Sequence, residues 1–305
     1  MKNRLAAALV FALFALTPGG AWAEELLVGG QAVGVEICSE GVIVSGFSEV
    51  VTAEGARSPA EEAGFAAGDV IIQIEDSAIR SAEDLIGAVA RSGGQETAVS
   101  VRRGERVLEL RVKPALSQSG QWLLGMWLRD GVSGVGTITF VDPASGLFGA
   151  LGHGVNDESS GRRVPLREGW ITEAEIVGVE PGTPGKPGEL YASAGAEKLG
   201  RVESNTAEGV FGHLNAAPSG RLLQTGEIKT GEASIVTTLA GHDAREYAVV
   251  IDRVYSEGGQ TRALLTVTDS ALVSGAGGIV QGMSGSPIIQ DGSIVGAVTH
   301  VLVFT

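Results

Sequence analysis

Gly282-Met283-Ser284-Gly285-Ser286-Pro287 sets a serine between two glycines, and Gly152-His153-Gly154 does the same for a histidine upstream. Glycine reaches backbone conformations that a Cβ forbids, so both stretches read as tight loops that display one side chain. A loop of this kind turns N–H groups, here those of Gly282 and Ser284, toward an oxygen that becomes negative when the hydroxyl attacks a carbonyl. A serine hydroxyl is a weak nucleophile alone and needs a base to take its proton. His153 is the candidate base. These loops need a scaffold of short strands and turns rather than long helices.

The composition agrees with such a scaffold. Glycine is abundant, at 46 residues, and aromatic residues make up 5% of the chain. That suits many short strands joined by turns. Lys2 and Arg4 precede an apolar run from Leu5 to Leu16, and Ala21-Trp22-Ala23 fits a leader-peptidase site. Residues 1–23 are therefore expected to be an export leader cut after Ala23, or else an uncleaved tether. The run falls short of the ~20 apolar residues that span a bilayer. Beyond it, 36 acidic residues face the 20 basic ones that remain, a net of −16. Such a surface repels phosphates, so no nucleic-acid partner is expected. Cys38 is the one cysteine and reads as a small buried apolar side chain. Neither Cys-x-x-Cys nor His-Glu-x-x-His occurs, so no metal and no cofactor is expected.

Two regions follow the leader. From Gly29 to Pro114, short β-rich runs at Val42–Val44 and Val70–Ile74 flank one helix. Ser81-Ala82-Glu83-Asp84 is a capping box, and Leu85, Ile86 and Val89 share a face of the helix behind it. Two alternating strands follow around Val99-Ser100-Val101 and Leu108–Val112, turning at Arg103-Gly104-Glu105. Pro114 to Gln121 reads as a linker. From residue 117 to 305 the pattern is almost purely β. Strands are expected at Gly136–Val141, Leu147–Leu151, Ile235–Leu239, Tyr247–Ile251 and Arg262–Val267, and a barrel or sandwich is the default.

Ser58-Pro59-Ala60-Glu61-Glu62-Ala63-Gly64 followed by Gly68-Asp69-Val70-Ile71 resembles a PDZ domain, expected over residues 29–114. The resemblance implies a groove in which a peptide adds as a strand beside the Leu85 helix. Gly30, Val33, Gly34 and Val35 stand where the family's carboxylate loop and pairing strand begin, and Leu85 faces them. The expected occupant is a peptide C-terminus or a segment of the chain itself.

The rest resembles the SpoIVB peptidase family, named for stage IV sporulation protein B. The stretches that carry this are Gly277–Pro287, Gly296-Ala297-Val298-Thr299-His300-Val301, Leu151-Gly152-His153-Gly154, Ile176-Val177-Gly178, Gly185–Leu190 and Gly209-Val210-Phe211-Gly212. The resemblance implies a mainly β chain, an α+β PDZ domain followed by a chymotrypsin-like β-barrel serine peptidase at 117–305. The order His before Ser agrees with that class and differs from the α/β-hydrolases. Ser284 matches the family nucleophile, His153 the general base and Asp269 the acid. Ser286, beside Pro287, matches a non-catalytic position. Asp269 has a competing reading as the cap of a helix at Ser270-Ala271-Leu272, with Asp252 and Asp243 as reserves. Thr299 and His300, on the strand returning from the serine loop, are expected to line the substrate groove.

The family also implies a role. It is an exported endopeptidase in the space between mother cell and forespore. It cleaves a membrane-anchored regulatory protein, and a late sigma factor is released as a result. The alternative is a peptide-binding protein of the envelope or forespore whose peptidase half is inactive. The family continues past His-Val-x-Val, whereas this sequence stops at Phe304-Thr305. An incompletely closed barrel with an exposed edge strand is therefore expected.

Overall fold

A computed structural model describes residues 7–12, 25–216 and 218–302. Strands separated by glycine turns sort into two units. The larger takes residues up to Glu36, Ser133–Gly154 and everything from Gly169 onward, and the smaller takes Ile37–Val132 and Val155–Glu168. The chain passes between units four times, three of them inside continuous strands, Ala32–Phe47, Met126–Val141 and Leu166–Glu180. This is why the division does not fall at Pro114, where composition places a linker.

The larger unit contains a closed barrel. Its strands run in the order Ala7–Ala12, Gln260–Val267, Ala244–Glu257, Gly231–Thr238, Pro287–Gln290 and Ser293–Leu302. Buried residues alternate along Tyr247–Ile251 and Ala263–Val267, as the two-residue side-chain period requires, whereas Pro287–Gln290 is buried throughout. Ile235, Val249, Ile251, Ala263, Leu265 and Ile288 fill the core. Among the described residues, the last strand, Ser293–Leu302, is paired on both sides rather than left as the expected exposed edge. Ala7–Ala12 pairs antiparallel with Gln260–Val267 on one side and Ser293–Leu302 on the other, with Leu9 opposite both Leu264 and His300. Part of the apolar run expected as a leader thus supplies the closing strand; the cleavage motif Ala21-Trp22-Ala23 lies outside the described residues. A second sheet of this unit carries Leu147–Ala150, which leads into His153, between the 138–141 stretch and Val210–Leu214.

The smaller unit packs helix Ala82–Arg91 against strands Val70–Ile74 and Thr97–Arg103 and the 37–47 stretch. Its core is Val42, Val44, Ile71, Leu85, Val99 and Val101. The helix has the capping box its sequence announces, with Ser81 Oγ accepting from Asp84 N–H. Asp69 is fully buried. It is held by a two-pronged pair with Arg103, Nε to Oδ1 and Nη2 to Oδ2, each at 2.7 Å. Ala66 N–H also donates to Oδ2 at 3.0 Å. Removing one partner of a buried pair is costly because the other loses its counter-charge.

Candidate active site and peptide groove

The serine loop is built by the two glycines that frame it. Gly282 has φ +94° and Gly285 φ +95°. A Cβ on Gly285 would lie 2.1 Å from Thr137 O and 2.4 Å from Leu151 N, so that position has no room for a side chain. The loop is pinned by Thr137 N–H to Ser284 O at 2.9 Å and by Gly285 N–H to Val298 O at 2.7 Å. Gln281, Met283, Gly285 and Ser286 all spend their N–H groups on backbone acceptors. The N–H groups of Gly282 and Ser284 have no acceptor among the described residues. These are the two donors that an oxyanion pocket at this loop requires.

His153 follows an unusual turn. Leu151, a buried non-glycine residue, sits at φ +69°, and Gly152 follows at φ +67°. A branched side chain held in the left-handed region stores strain, a feature that clusters at functional sites. The turn packs on the strand returning from the serine loop. A Cβ on Gly152 would meet Thr299 Cγ2 at 2.9 Å and Val298 O at 3.3 Å. The same strand receives the Ser284 hydroxyl, which donates to Thr299 O at 3.1 Å. The fold therefore brings the His153 turn and Ser284 to one strand. It does not join them: among the described residues no hydrogen bond links the two side chains. His153 Nδ1 lies 2.9 Å from Gly154 O. A carbonyl only accepts, so Nδ1 carries the proton and Nε2 is left as the basic nitrogen.

Among the described residues no hydrogen bond joins Asp269 to that ring. Its carboxylate is the cap of helix Ser270–Ala276, accepting from Ala271 N–H at 2.8 Å, Leu272 N–H at 3.2 Å and Ala248 N–H at 3.4 Å. These bonds, that from Leu272 foremost, hold its proton affinity below the ordinary carboxylate range. The cap has a plain cause, since an aspartate directly before a helix is captured by the unpaired N–H groups of its first turn. The reserve Asp252 accepts from Thr266 Oγ1 at 2.6 Å, and Asp243 is exposed. Thr299 is buried, so its side chain does not face a substrate groove; His300 beside it reaches the surface. The His300 ring lies 5.4 Å from the His153 ring, tilted by 38°. Partial burial of the ring, then the charge of the neighbouring His153, then that of Arg262, lower its proton affinity.

The expected carboxylate loop at Gly30–Val35 is also corrected. These residues belong to the larger unit, apart from Leu85. Gly30 packs on Val236, and Gly34 has Thr172 Oγ1 where a Cβ would go. Val33 and Val35 are 1% and 3% exposed. Val33 lines a hollow of about 330 Å³ with Ala32, Ile138 and Ala174. A strand enclosed in this way offers no edge to a peptide.

The groove lies instead in the smaller unit, between helix Ala82–Arg91 and the start of strand Met126–Val141. It is a hollow of about 220 Å³ lined by Leu85, Ile86, Val89, Leu124, Met126 and Leu128, among others. At its end, Leu123-Leu124-Gly125-Met126 makes a turn with Gly125 at φ +73°. Ala60 N–H donates to Leu124 O at 2.9 Å, and Ser48 N–H donates to Gly125 O at 3.0 Å. With both carbonyls drawn inward, the N–H groups of Leu124 and Gly125 have no acceptor among the described residues. Two adjacent free donors at the mouth of an apolar groove suit a carboxylate. Sequence reading missed this loop by taking the preceding stretch for a linker. The signal was there in two apolar residues, a glycine and a third apolar residue just before a strand.

Fold and sites together define a mainly β chain, with a PDZ domain ahead of a β-rich peptidase domain. Comparison with known families places it further. Residues 120–305 match the SpoIVB peptidase S55 family, and residues 50–103 match a PDZ domain. The chain belongs to the SpoIVB peptidase S55 family. A provisionally named zinc metalloprotease of Clostridium perfringens is 32% identical over 83 residues, covering 27% of this chain and 25% of that protein. A similarly named protein of Xylella fastidiosa is 33% identical over 81 residues, 26% of this chain and 16% of that one. The chain thus spans a quarter or less of these curated relatives. Among solved structures, the PDZ domain of an SdrC-like protein of Listeria monocytogenes is similar at 24% identity. It covers 30% of this chain and 90% of that one, with a TM-score of 0.24. Among the described residues, no group of three His, Cys, Asp or Glu side chains is placed to hold a metal.

Proposed function

We propose that the chain is a serine endopeptidase in which Ser284 attacks the peptide carbonyl and His153 takes its proton. The observation that carries this is the pair of free N–H groups, Gly282 and Ser284, beside a half-buried hydroxyl. For the reaction, the hydroxyl turns from Thr299 O toward His153 Nε2. The tetrahedral oxyanion forms against the two N–H groups, and such a donor is worth ~3–4 kcal/mol of barrier. His153 then gives its proton to the leaving amine, and water repeats the cycle on the acyl-enzyme. The PDZ groove holds a peptide end by its carboxylate. Family membership supports an exported enzyme acting between mother cell and forespore. Its substrate there is a membrane-anchored regulator, whose cleavage leads to release of a late sigma factor.

A second reading is a peptide-binding protein with a silent peptidase domain. It is favoured by the hydroxyl bonded to Thr299 O and by the commitment of Asp269 to its helix. A fluorophosphonate probe decides between them. The enzyme is labelled at Ser284, resists chelators, and loses labelling together with at least about 10³-fold in peptide hydrolysis on Ser284→Ala. A folded protein that is never labelled supports the binder. Hydrolysis that survives Ser284→Ala and stops with a chelator overturns the serine mechanism.

A further inference from the structure

Of the two serines in Gly282–Pro287, Ser286 is the one to which the reaction gives no part. It is fully buried, which bars its hydroxyl from a substrate carbonyl. That hydroxyl donates to Met283 O at 2.7 Å, and Ser286 N–H donates to the same oxygen at 3.0 Å. A serine bonded to the carbonyl three residues back holds a turn locally. Pro287 follows, and a residue before proline is kept out of the helical region, which narrows the shapes open to Ser286. The oxygen that Ser286 holds belongs to a particular peptide. A peptide unit is planar and trans, so its C=O and N–H point in opposite directions. Opposite Met283 O stands Ser284 N–H, one of the two free donors. The other, Gly282 N–H, stands opposite Gln281 O, which accepts from Leu190 N–H at 2.9 Å. The loop's other carbonyls are held as well. Gly282 O takes Thr137 Oγ1 at 3.2 Å, Gly285 O takes Thr139 Oγ1 at 2.7 Å, and Ser286 O takes Val298 N–H at 2.9 Å.

We propose that Ser286 is the positioning residue for the Ser284 N–H donor. The inference rests on the serine-peptidase reading and adds to it the residue that keeps the oxyanion pocket formed. Two bonds from one residue fix the Met283–Ser284 peptide with its carbonyl inward and its N–H toward the place where the oxyanion forms. A flipped peptide would present Met283 O there instead, and a carbonyl oxygen repels an oxyanion. Of the two bonds, the hydroxyl's is the one a side chain controls. Losing an oxyanion donor outright costs about 10²–10³ in kcat. Removing the Ser286 hydroxyl leaves its N–H on Met283 O, so the loop keeps its fold and the peptide is loosened rather than released. The expected loss is therefore a part of a whole donor's worth, about 10-fold. It falls on kcat, because the donor is used more strongly by the transition state than by the ground-state carbonyl.

The test uses the full chain and two readouts. First, Ser286→Ala is compared with the unmodified protein in peptide hydrolysis and in inhibition by a peptidyl trifluoromethyl ketone, whose adduct with Ser284 is tetrahedral and carries an oxyanion. Rates are counted per site titrated with the fluorophosphonate probe, so a partly unfolded variant does not imitate the effect. The proposal expects kcat and affinity for the ketone to fall together, each by about 10-fold, with KM unchanged. A raised KM with kcat untouched, or equal activity of the two proteins, overturns it. So does labelling of Ser286 in place of Ser284, which would make Ser286 the nucleophile. The second readout needs no activity. In Ser284→Ala protein, NMR relaxation dispersion follows the backbone amides at positions 283 to 285 with and without Ser286→Ala. Added exchange on the microsecond-to-millisecond scale is expected once the hydroxyl is gone. Its absence overturns the proposal, whatever the activity. Failure of the unmodified protein to label overturns the peptidase reading and leaves the donor no oxyanion to meet. The relaxation data alone then decide whether Ser286 sets the peptide.

Discussion

The two units treat their free N–H groups differently. In the smaller unit Leu124 and Gly125 face an apolar groove, with their carbonyls already anchored to Ala60 and Ser48. The donors and the groove wall are already in place there. In the larger unit Gly282 and Ser284 also have free N–H groups, but the hydroxyl they serve points to Thr299 O and the histidine is bonded to its own neighbour's carbonyl. Binding needs only a shaped surface with donors in place. Catalysis needs three groups aligned at once, and the resting structure aligns the donors without the proton path. Catalytic hydrogen bonds often tighten only when substrate is bound, so on the serine-peptidase reading the two sites differ in readiness.

The change expected to separate the units most is Ser284→Ala. It should remove hydrolysis by at least about 10³-fold and leave peptide affinity at the groove unchanged, read by calorimetry with a peptide of free C-terminus. An equal loss of both would break the comparison. Next in size is Asp69→Ala. It removes a fully buried carboxylate from Arg103, and ~3–5 kcal/mol of unfolding free energy should be lost from the smaller unit. Chemical denaturation followed at Trp122, which lies in that unit's groove, reads this directly. Smaller again is Gly125→Ala. Gly125 has φ +73°, and a Cβ there would lie 2.4 Å from Ser48 O. The turn must shift its donors, weakening peptide binding by on the order of tenfold, about 1.4 kcal/mol, with probe labelling of Ser284 unaffected.

What the sequence disclosed follows from how local each signal is. The capping box at Ser81, the turn at Arg103-Gly104-Glu105 and the strands around Ile235, Tyr247 and Arg262 depend on neighbours within a few residues, and all lie where their patterns put them. The glycine frame of Ser284 was legible for the same reason. The groove was not, because a long strand shared by two units gives no break in composition at Glu36 or Val132. Ile86 shows the ambiguity at one residue. Its helical spacing matches Leu85 and Val89, yet it is 59% exposed on the groove wall, where an apolar residue awaits a ligand rather than a core. Barrel closure by Ala7–Ala12 was illegible for a different reason. Short apolar runs suit a leader and a strand equally well, and pairing with Leu264 and His300 is decided by partners more than 250 residues away.

Asp269 gives the smallest expected effect and the sharpest division between the two readings of the serine site. As a helix cap, its replacement by alanine should cost about 1 kcal/mol, while asparagine, which caps as well, should cost little. As the acid that orients His153, either replacement should lower kcat by on the order of 10⁴-fold. The pH dependence carries the same distinction. Hydrogen bonds from Leu272, Ala248 and Ala271 lower the folded-state affinity of Asp269 for a proton. The unfolded chain therefore takes up that proton first as pH falls. The stabilisation is fully present above the ordinary carboxylate value, about 3.9, and is lost as pH drops through the lower folded value. Asp269→Asn should remove that acid-side dependence from the unfolding curve and leave labelling of Ser284 at neutral pH within a few-fold of the unmodified chain. Labelling that collapses in Asp269→Asn, with the helix still folded, would assign the carboxylate to His153.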